Sequence, residues 1–551
     1  MLVLIRRVAV MLLLAAGPSA HAQIVEIPIA GDPVATDAGM ITGLTLPSGV
    51  KAYLGIPFAA PPLRELRWQA PQPVKPWRGV YHADRKAPEC IQVLRAHNIN
   101  HYFGEEATSE DCLYLNLWLP PGAKAADKLP VIVYLYGGGN TIGSSGMALY
   151  GGEGVAAAGA VFVNLNYRLG ALGFMAHPQL SAESPTHSSG NYAYLDQIAA
   201  LQWIQRNIGR FGGDPAQVIV TGQSAGAMSA SLLQSSPLAR GLFRGVVGMS
   251  GSAFGLGAEN PPTLAQAEKT GLEVQAALKA KDLDGLRQLP ADRILSVQQD
   301  CQLGCSGSIR IGGANVDGHL LPAAPAELFA SKRHNDVPVI TGFMRDENSN
   351  DLSTAGSLQA YRDAAARLYG ASAPELLQLY PAATDAQARV AGRNAARDGG
   401  MFTQAVHNWA LAQGRWSRSP VYLYTFARVH PFNPAVVIAD HPEAIGAYHT
   451  SDVPFWLQTQ DALNLFRPTR LWTPADRQFA AEMTRSLIAF ARTGSPRTAA
   501  LPWTAWRSDN EQLLELGDSA VMKPLDGRRL EFHRLHPPSA PTQPAARGPR
   551  D

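Results

Sequence analysis

Short, nearly continuous apolar runs recur along the chain and alternate with stretches of helical spacing. A strand covered on both faces has no polar side, so such runs are typical of a parallel sheet packed between helices. The runs cover residues 131–136, 160–164, 218–221, 246–249, 337–341 and 421–425, and residues 194–208, followed by Gly209, are typical of a helix. The pattern predicts an α/β fold with a large, mostly parallel central sheet, helices on both faces and long insertions.

The flanking segments extend this prediction. Residues 44–46 and 50–54, joined by Pro47, Ser48 and Gly49, are typical of a β-hairpin. The regions 264–289 and 358–397 have helical patterns, and we expect them to cover one end of the sheet. Because neither an internal repeat nor a linker divides the chain, residues 23–535 are predicted to form a single domain.

Charge argues against polyanionic partners. The chain has 47 Lys and Arg against 45 Asp and Glu, a net charge of +2, so it offers no basic surface for nucleic acid or anionic lipid. Hydrophobic residues make up 46% of the 551 residues, which is enough for a large core and excludes wholesale disorder.

The N-terminal 22 residues have the pattern of a secretory signal. Arg6 and Arg7 precede a short apolar run at 8–16, and Ala20-His21-Ala22 offers a cleavage site before residue 23. An uncleaved membrane anchor is the alternative, which the shortness of the run disfavours. We therefore expect a periplasmic or secreted protein with no membrane span in its mature form, ending in a disordered tail at 536–551.

Four cysteines are present, and an even number in an exported chain favours disulfides. Sequence order suggests the pairs Cys90–Cys112 and Cys301–Cys305, with free buried thiols as the alternative. Cys301 and Cys305 are only a pair, without a nearby histidine to complete four zinc ligands. We therefore expect no metal site.

Gly222-Gln223-Ser224-Ala225-Gly226 matches the G-x-S-x-G pattern. The apolar run 218–221 precedes it and residues 227–233 can continue as a helix, which is the strand–turn–helix setting of a nucleophile elbow. An ordinary Gly/Ser turn is the alternative. A serine hydroxyl needs a base and an orienting carboxylate to act as a nucleophile, and on this fold both follow the serine in the chain.

Five further blocks follow one another along the chain: GIPFA at 55–59, EDCLYLN at 110–116, NLNYR at 164–168, FGGDP at 211–215 and FARTG at 490–494. Together they resemble the type-B carboxylesterase family, which includes cholinesterases and bacterial carboxylesterases. The resemblance spans about residues 25–535 and implies an α/β-hydrolase fold.

The same resemblance implies the other two members of a catalytic triad. VITG at 339–342 followed by RDE at 345–347 is similar to the family segment that carries the acid, which would be Glu347. AYHTSDVPF at 447–455 resembles the segment that carries the base, which would be His449. Asp346 is the alternative acid. The residues alone do not select His449 among fourteen histidines.

A glycine-rich loop, YGGGN at 136–140, follows the apolar run 131–136. Glycines let backbone N–H groups approach a ligand closely. A phosphate-binding loop is the alternative, but the Lys-Ser/Thr of that motif is missing. The family resemblance implies an oxyanion hole made of the Gly138, Gly139 and Ala225 amides, with Asn140 at a position where the family usually has Phe.

Two ion pairs and one hydroxyl are also implied by the resemblance. Arg67 with Glu110, and Arg168 with Asp196, resemble family pairs that tie loops to the sheet. Ser250 resembles a hydroxyl that forms a hydrogen bond near the triad acid.

The resemblance implies hydrolysis of a small-molecule carboxylic ester through an acyl-enzyme on Ser224, without a cofactor. Gln223 stands where the family usually has Glu, and the segment before Cys112 has Tyr102 and Phe103 but no tryptophan for a quaternary ammonium. We therefore expect neutral or aromatic esters to be preferred over choline esters. Amide, carbamate, thioester or lactone bonds, and a non-catalytic binding or adhesion role, are the alternatives. The oligomeric state is not indicated.

Overall fold

An eleven-stranded sheet runs through the protein in the computed structural model, which describes residues 28–92, 106–255, 261–298, 308–436 and 445–539. In chain order its strands are β1 (Leu44–Thr45), β2 (Lys51–Pro57), β3 (Tyr114–Leu119), β4 (Leu129–Leu135), β5 (Val161–Leu165), β6 (Gly213–Gln223), β7 (Gly245–Met249), β8 (Val339–Met344), β9 (Val421–Phe426), β10 (Gln512–Leu516) and β11 (Ala520–Pro524).

Across the sheet the strands follow the order β1-β2-β3-β5-β4-β6-β7-β8-β9-β10-β11. All pairs from β5 to β10 are parallel, while the pairs at the two ends of the sheet are antiparallel. The six apolar runs lie in the parallel strands β4 to β9, and the predicted hairpin is the antiparallel pair β1–β2. The prediction of a mostly parallel sheet is therefore confirmed.

Helices cover both faces of the sheet, as β7 shows. Gly245 and Gly248 are three positions apart on this strand, so they face opposite sides. A β-carbon at Gly245 would lie 2.9 Å from the ring of Phe490, and one at Gly248 would lie 2.5 Å from the ring of Trp409. The helices that carry Phe490 and Trp409 therefore pack on opposite faces.

The described α-helices connect and surround the strands. The predicted helix at 194–208 is observed at Tyr192–Asn207; a 3₁₀ turn follows, and the left-handed residue is Gly212, not Gly209. The helices are Glu153–Ala157, Gly170–Phe174, Pro178–Glu183, Tyr192–Asn207, Ala225–Ser235, Leu264–Leu278, Leu283–Gln288, Ala291–Leu295, Pro325–Ala330, Leu358–Tyr369, Ala373–Leu379, Asp385–Asp398, Met401–Trp416, Val453–Leu457, Pro474–Thr493 and Gly527–Leu535.

Among the described residues, buried apolar side chains form one large cluster around the sheet and a smaller second cluster. The second cluster joins the helices Leu358–Tyr369, Ala373–Leu379 and Asp385–Asp398, so the region expected to be helical is helical and has its own core. His536 and Ser539, expected in a disordered tail, are hydrogen-bonded to Ser372 and Leu368. Residues 540–551 of the predicted tail lie outside the described residues.

Cys90 and Cys112 form a disulfide, which confirms the first predicted pair. Cys301, Cys305 and the predicted signal at residues 1–22 lie outside the described residues. In the described part of the chain, no helix has the length and hydropathy needed to cross a bilayer.

Candidate active site

Ser224 occupies a strained turn between β6 and the helix Ala225–Ser235. Its φ is +55°, in the left-handed region that a non-glycine residue rarely adopts. A β-carbon at Gly222 would collide with the carbonyl oxygen of Gly226, and one at Gly226 would collide with the carbonyl oxygen of Leu135. The two glycines are therefore required by the close approach of backbone segments, and the turn has the form of the predicted nucleophile elbow.

The glycine-rich loop after β4 lies directly against this turn. A β-carbon at Gly137 would lie 2.9 Å from the β-carbon of Ser224. Gly138 and Gly139 follow with φ of +114° and +62°. Within the described residues, the backbone N–H groups of Gly138, Gly139 and Ala225 donate no hydrogen bond, and the first N–H of a helix has no partner inside the helix. Three amide donors without a partner among the described residues thus lie on the two segments that meet at Ser224.

Glu347 and His449 form a short hydrogen bond beside the carboxyl end of β8. Glu347 Oε2 lies 2.6 Å from His449 Nδ1, and Glu347 Oε1 accepts from the Met344 backbone N–H at 2.7 Å. The Glu347 side chain is fully buried, whereas 29% of the His449 side chain is exposed. Asp346, the alternative acid, instead accepts a hydrogen bond from the Ala447 backbone N–H. The geometry therefore selects Glu347 as the partner of His449.

The other ring nitrogen of His449 faces the serine turn. Gln223 Nε2 lies 3.1 Å from His449 Nε2. Because Nδ1 donates its proton to the Glu347 carboxylate, Nε2 of the neutral ring carries a lone pair, and the Gln223 amide donates to it. The Ser224 hydroxyl makes no hydrogen bond within the described residues. His449 Nε2 is thus hydrogen-bonded to Gln223, the residue directly before Ser224, and not to Ser224 itself.

Phe402 was not singled out by the sequence, and it stacks on the His449 ring. The two ring centroids are 4.2 Å apart and the planes are inclined by 18°. Phe402 lies at the start of the helix Met401–Trp416, and nothing in the local pattern distinguishes it from other apolar helical residues. The ring restricts the orientation of the imidazole and adds an aromatic surface next to it.

Asp452 is a second carboxyl group beneath the site that the sequence analysis also missed. It is fully buried, and its Oδ2 accepts hydrogen bonds from Tyr424 Oη at 2.7 Å and from Trp456 Nε1 at 3.2 Å. The pKa of the Asp452 carboxyl is raised to about 7, mainly by burial and also by the neighbouring Glu347 charge, which together outweigh the hydrogen bond from Tyr424. Its position three residues after His449 was the available signal.

Ser250 lies at the end of β7 with a φ of +53°. Its backbone N–H donates to the Gly342 carbonyl oxygen at 2.8 Å. Its hydroxyl is buried and has no hydrogen-bond partner within the described residues, so the expected hydrogen bond near the triad acid is not observed.

Both expected ion pairs are present; the Arg168–Asp196 pair is buried, and Arg67–Glu110 is partly buried. Arg67 donates to Glu110 at 2.7 and 2.5 Å, and Arg168 donates to Asp196 at 2.8 and 2.7 Å. Arg168 also donates to the backbone oxygen of Gln69, so it ties a loop to the sheet as expected. In the described segments, no three His, Cys, Asp or Glu residues are grouped as metal ligands.

Comparison with known proteins agrees with this geometry. The model of the carboxylesterase family matches residues 31–533. This chain belongs to the carboxylesterase family. It is 34% identical over 469 residues to a fumonisin B1 esterase of Sphingopyxis macrogoltabida, covering 84% of this chain and 82% of that protein.

Other carboxylesterases match over nearly their whole length. The chain is 30% identical over 522 residues to a para-nitrobenzyl esterase of Bacillus subtilis, covering 92% of this chain and 98% of that protein. The structure of a thermophilic PNB esterase matches with a TM-score of 0.73 and 29% identity, covering 91% of this chain and 99% of the other. The fold is therefore the α/β-hydrolase fold, and the protein is a carboxylic ester hydrolase of a serine-dependent family.

Proposed function

We propose that Ser224, His449 and Glu347 form the catalytic triad of this carboxylesterase. The observation that carries the proposal is the position of His449, which is hydrogen-bonded to Glu347 through one ring nitrogen and faces the Ser224 turn with the other. A carboxylate on one nitrogen fixes the tautomer, so that the other nitrogen can accept a proton. Local rotation of the Gln223 amide away from His449 would leave this nitrogen to the serine hydroxyl.

The reaction then proceeds through an acyl-enzyme. His449 takes the proton of Ser224 while the serine oxygen attacks the ester carbonyl carbon. The protonated ring next gives this proton to the leaving alcohol. Water, deprotonated by the same ring, releases the acid and regenerates the serine. Glu347 holds the ring in place and stabilises its cationic form throughout.

Negative charge on the carbonyl oxygen is taken up by backbone amides. Gly138, Gly139 and Ala225 supply N–H groups without internal partners in the described residues, next to Ser224. Such donors stabilise the tetrahedral intermediate more than the ester, and losing one costs about 100- to 1,000-fold in rate.

Substitution of the serine tests this assignment. Ser224→Ala should lower turnover of para-nitrophenyl butyrate by at least about 1,000-fold, because the acyl-enzyme cannot form. A fluorophosphonate probe should label the wild type on the peptide that contains Ser224 and should leave the variant unlabelled. The circular dichroism spectrum and melting temperature should be unchanged. Turnover retained by a folded, unlabelled variant would rule out this triad.

We further propose that the preferred substrates are neutral or aromatic esters. Gln223 places a neutral amide, not a carboxylate, next to the base, and Phe402 adds an aromatic surface on the other side of it. Relatives include a fumonisin B1 esterase and a para-nitrobenzyl esterase. A cationic choline ester would find no charge partner at residue 223.

The ratio of two substrates tests this preference. We expect kcat/KM for para-nitrophenyl butyrate to exceed that for butyrylthiocholine by at least about 10-fold. Gln223→Glu should narrow this ratio several-fold, since a carboxylate near the reacting centre attracts the cationic substrate. Gln223→Met is the matched neutral control and should leave the ratio unchanged, because both substrates use the same base. Equal rates for the two esters in the wild type would contradict the proposal.

We also propose that the protein is exported. The signal-like residues 1–22 and the Cys90–Cys112 disulfide support passage into an oxidising compartment. Cleavage after Ala22 would leave Gln23 as the N-terminal residue of the exported protein, which sequencing of its N terminus would detect.

A further inference from the structure

Asn140 follows directly after the two glycines that carry the proposed oxyanion donors. Its φ is +60°, so Gly138, Gly139 and Asn140 are three consecutive residues in the left-handed region. Asparagine tolerates this region better than most other residues with a side chain. The Thr141 and Ile142 N–H groups donate to the Gly138 oxygen at 3.1 and 3.2 Å, and contacts from outside the loop add to these internal hydrogen bonds.

The Asn140 side chain provides such a contact. It is 2% exposed, and its Nδ2 donates to the backbone oxygen of Gly312 at 2.7 Å. A β-carbon at Gly312 would lie 3.4 Å from the backbone oxygen of Gly139, so the two segments pack directly against each other. The Asn140 backbone oxygen also accepts from the Gly170 N–H at 2.8 Å.

The segment that carries Gly312 is in turn held by the scaffold. Asn315 donates its backbone N–H to Asn191 Oδ1 at 3.1 Å, and Asn191 Nδ2 donates to the Asn315 oxygen at 3.0 Å. Asn315 Nδ2 also donates to the Ser189 oxygen at 3.0 Å. Asn191 directly precedes the helix Tyr192–Asn207. Hydrogen bonds at residues 312 and 315 of this short segment therefore connect the glycine loop to the start of a long, buried helix.

We propose that Asn140 is a positioning residue, which holds the amide groups of Gly138 and Gly139 in the orientation for an oxyanion through its hydrogen bond to Gly312. The proposal rests on the proposed function of Ser224. A phenylalanine, which the family usually has at this position, could not donate this hydrogen bond. We call the Asn140–Gly312 hydrogen bond, with the segment that holds Gly312, the tether. The Gly138 and Gly139 amides act mainly on the charged intermediate, so loss of the tether lowers kcat and leaves KM nearly unchanged.

Asn140→Gly is the decisive variant, because glycine accepts φ of +60° without strain while it removes the amide. We expect kcat for para-nitrophenyl butyrate to fall about 10-fold, less than for complete loss of a donor, with KM within about two-fold of wild type. Affinity for a trifluoromethyl ketone, which forms a charged adduct with the serine, should fall by the same factor as kcat. A wild-type kcat in Asn140→Gly would overturn the proposal. A change in KM by as large a factor as the change in kcat would overturn it as well.

A second variant weakens the same tether at another residue, so that the result does not depend on how well Asn140→Gly folds. Asn315→Ala loosens the segment that carries the acceptor, so it should lower kcat in the same manner. The fold-decrease in kcat of the double variant should be smaller than the product of the fold-decreases of the two single variants, since both changes break one connection. Fully multiplicative losses would count against a shared tether. Asn335→Ala is the control: its amide bonds three backbone oxygens, and its loss should lower the melting temperature but not kcat.

The two proposals fail in different ways. Turnover in Ser224→Ala would refute the proposed function and, with it, the role of Asn140. If Ser224→Ala is inactive and Asn140→Gly keeps wild-type kcat, only the role of Asn140 is refuted.

Discussion

Gly226 allows the Ser224 turn to pass close to the neighbouring strand. The backbone oxygen of Leu135, the last residue of β4, lies where a β-carbon of residue 226 would stand. The contact is with backbone, which cannot rotate away as a flexible side chain can. The shape of the turn thus depends on a missing methyl group.

Gly226→Ala should therefore lower the free energy of unfolding by about 1–3 kcal/mol, the usual effect of overpacking, and should displace Ser224. Denaturant unfolding measures the first effect, and the rate of fluorophosphonate labelling measures the second, which we expect to fall at least about 10-fold. Gly209→Ala is the control, since Gly209 is exposed and a β-carbon there meets no atom within 4 Å. A Gly226→Ala protein as stable and reactive as wild type would contradict this account of the turn.

At the scale of elements, His533 connects the helix Gly527–Leu535 to the second hydrophobic cluster. Its ring nitrogens lie 3.0 Å from Tyr369 Oη and 3.1 Å from Tyr380 Oη. Tyr380 donates its own proton to Asp398, so the ring donates to Tyr380 through Nε2 and accepts from Tyr369 through Nδ1. This arrangement requires the neutral ring, and burial lowers the pKa of His533 to about 3.

Protein stability should depend on pH through this histidine. Its pKa is about 3 in the folded protein against an ordinary value of 6.5, so the unfolded chain binds one more proton between these values. The contribution of the neutral His533 ring to the free energy of unfolding is fully present above about pH 6.5 and is lost as the pH falls towards 3. His533→Gln should reduce the slope of unfolding free energy against pH by about 1.4 kcal/mol per unit between pH 4 and 6.

Denaturant titrations at several pH values would measure that slope. The exposed substitution His82→Gln is the control and should leave the slope at its wild-type value. An identical slope in the wild type and His533→Gln would mean that His533 does not titrate on unfolding in this range.

At the scale of the whole molecule, the site lies where the parallel strands end. Ser224 follows β6, Glu347 follows β8 after two residues, and the glycine loop follows β4. The carboxyl ends of parallel strands share one edge of the sheet, so residues far apart in the chain meet there. The main hydrophobic cluster lies beneath this edge and holds the strands, while the helices of the second cluster have a core of their own.

The positions of Ser224 and of the glycine loop could be predicted from the sequence because their chemistry is local. A turn without room for side chains requires glycines at fixed offsets from the serine, and buried strands require continuous apolar runs. His449 and Glu347 carry no such local signal, and only family resemblance identified them. Spacing along the chain does not tell which of fourteen histidines comes within 2.6 Å of a given carboxylate.

The sequence by itself determined the α/β architecture and the serine turn, since hydrophobic period and turn residues are properties of short stretches. Cysteine order suggested the pairing of Cys90 with Cys112, which the structure confirms. Only the tertiary structure decided that Gln223 donates to His449, that Phe402 stacks on it, that Ser250 has no partner among the described residues and that Asn140 reaches Gly312. These contacts join side chains to groups that are distant in the chain, and their distances depend on how the whole sheet and its covering loops pack.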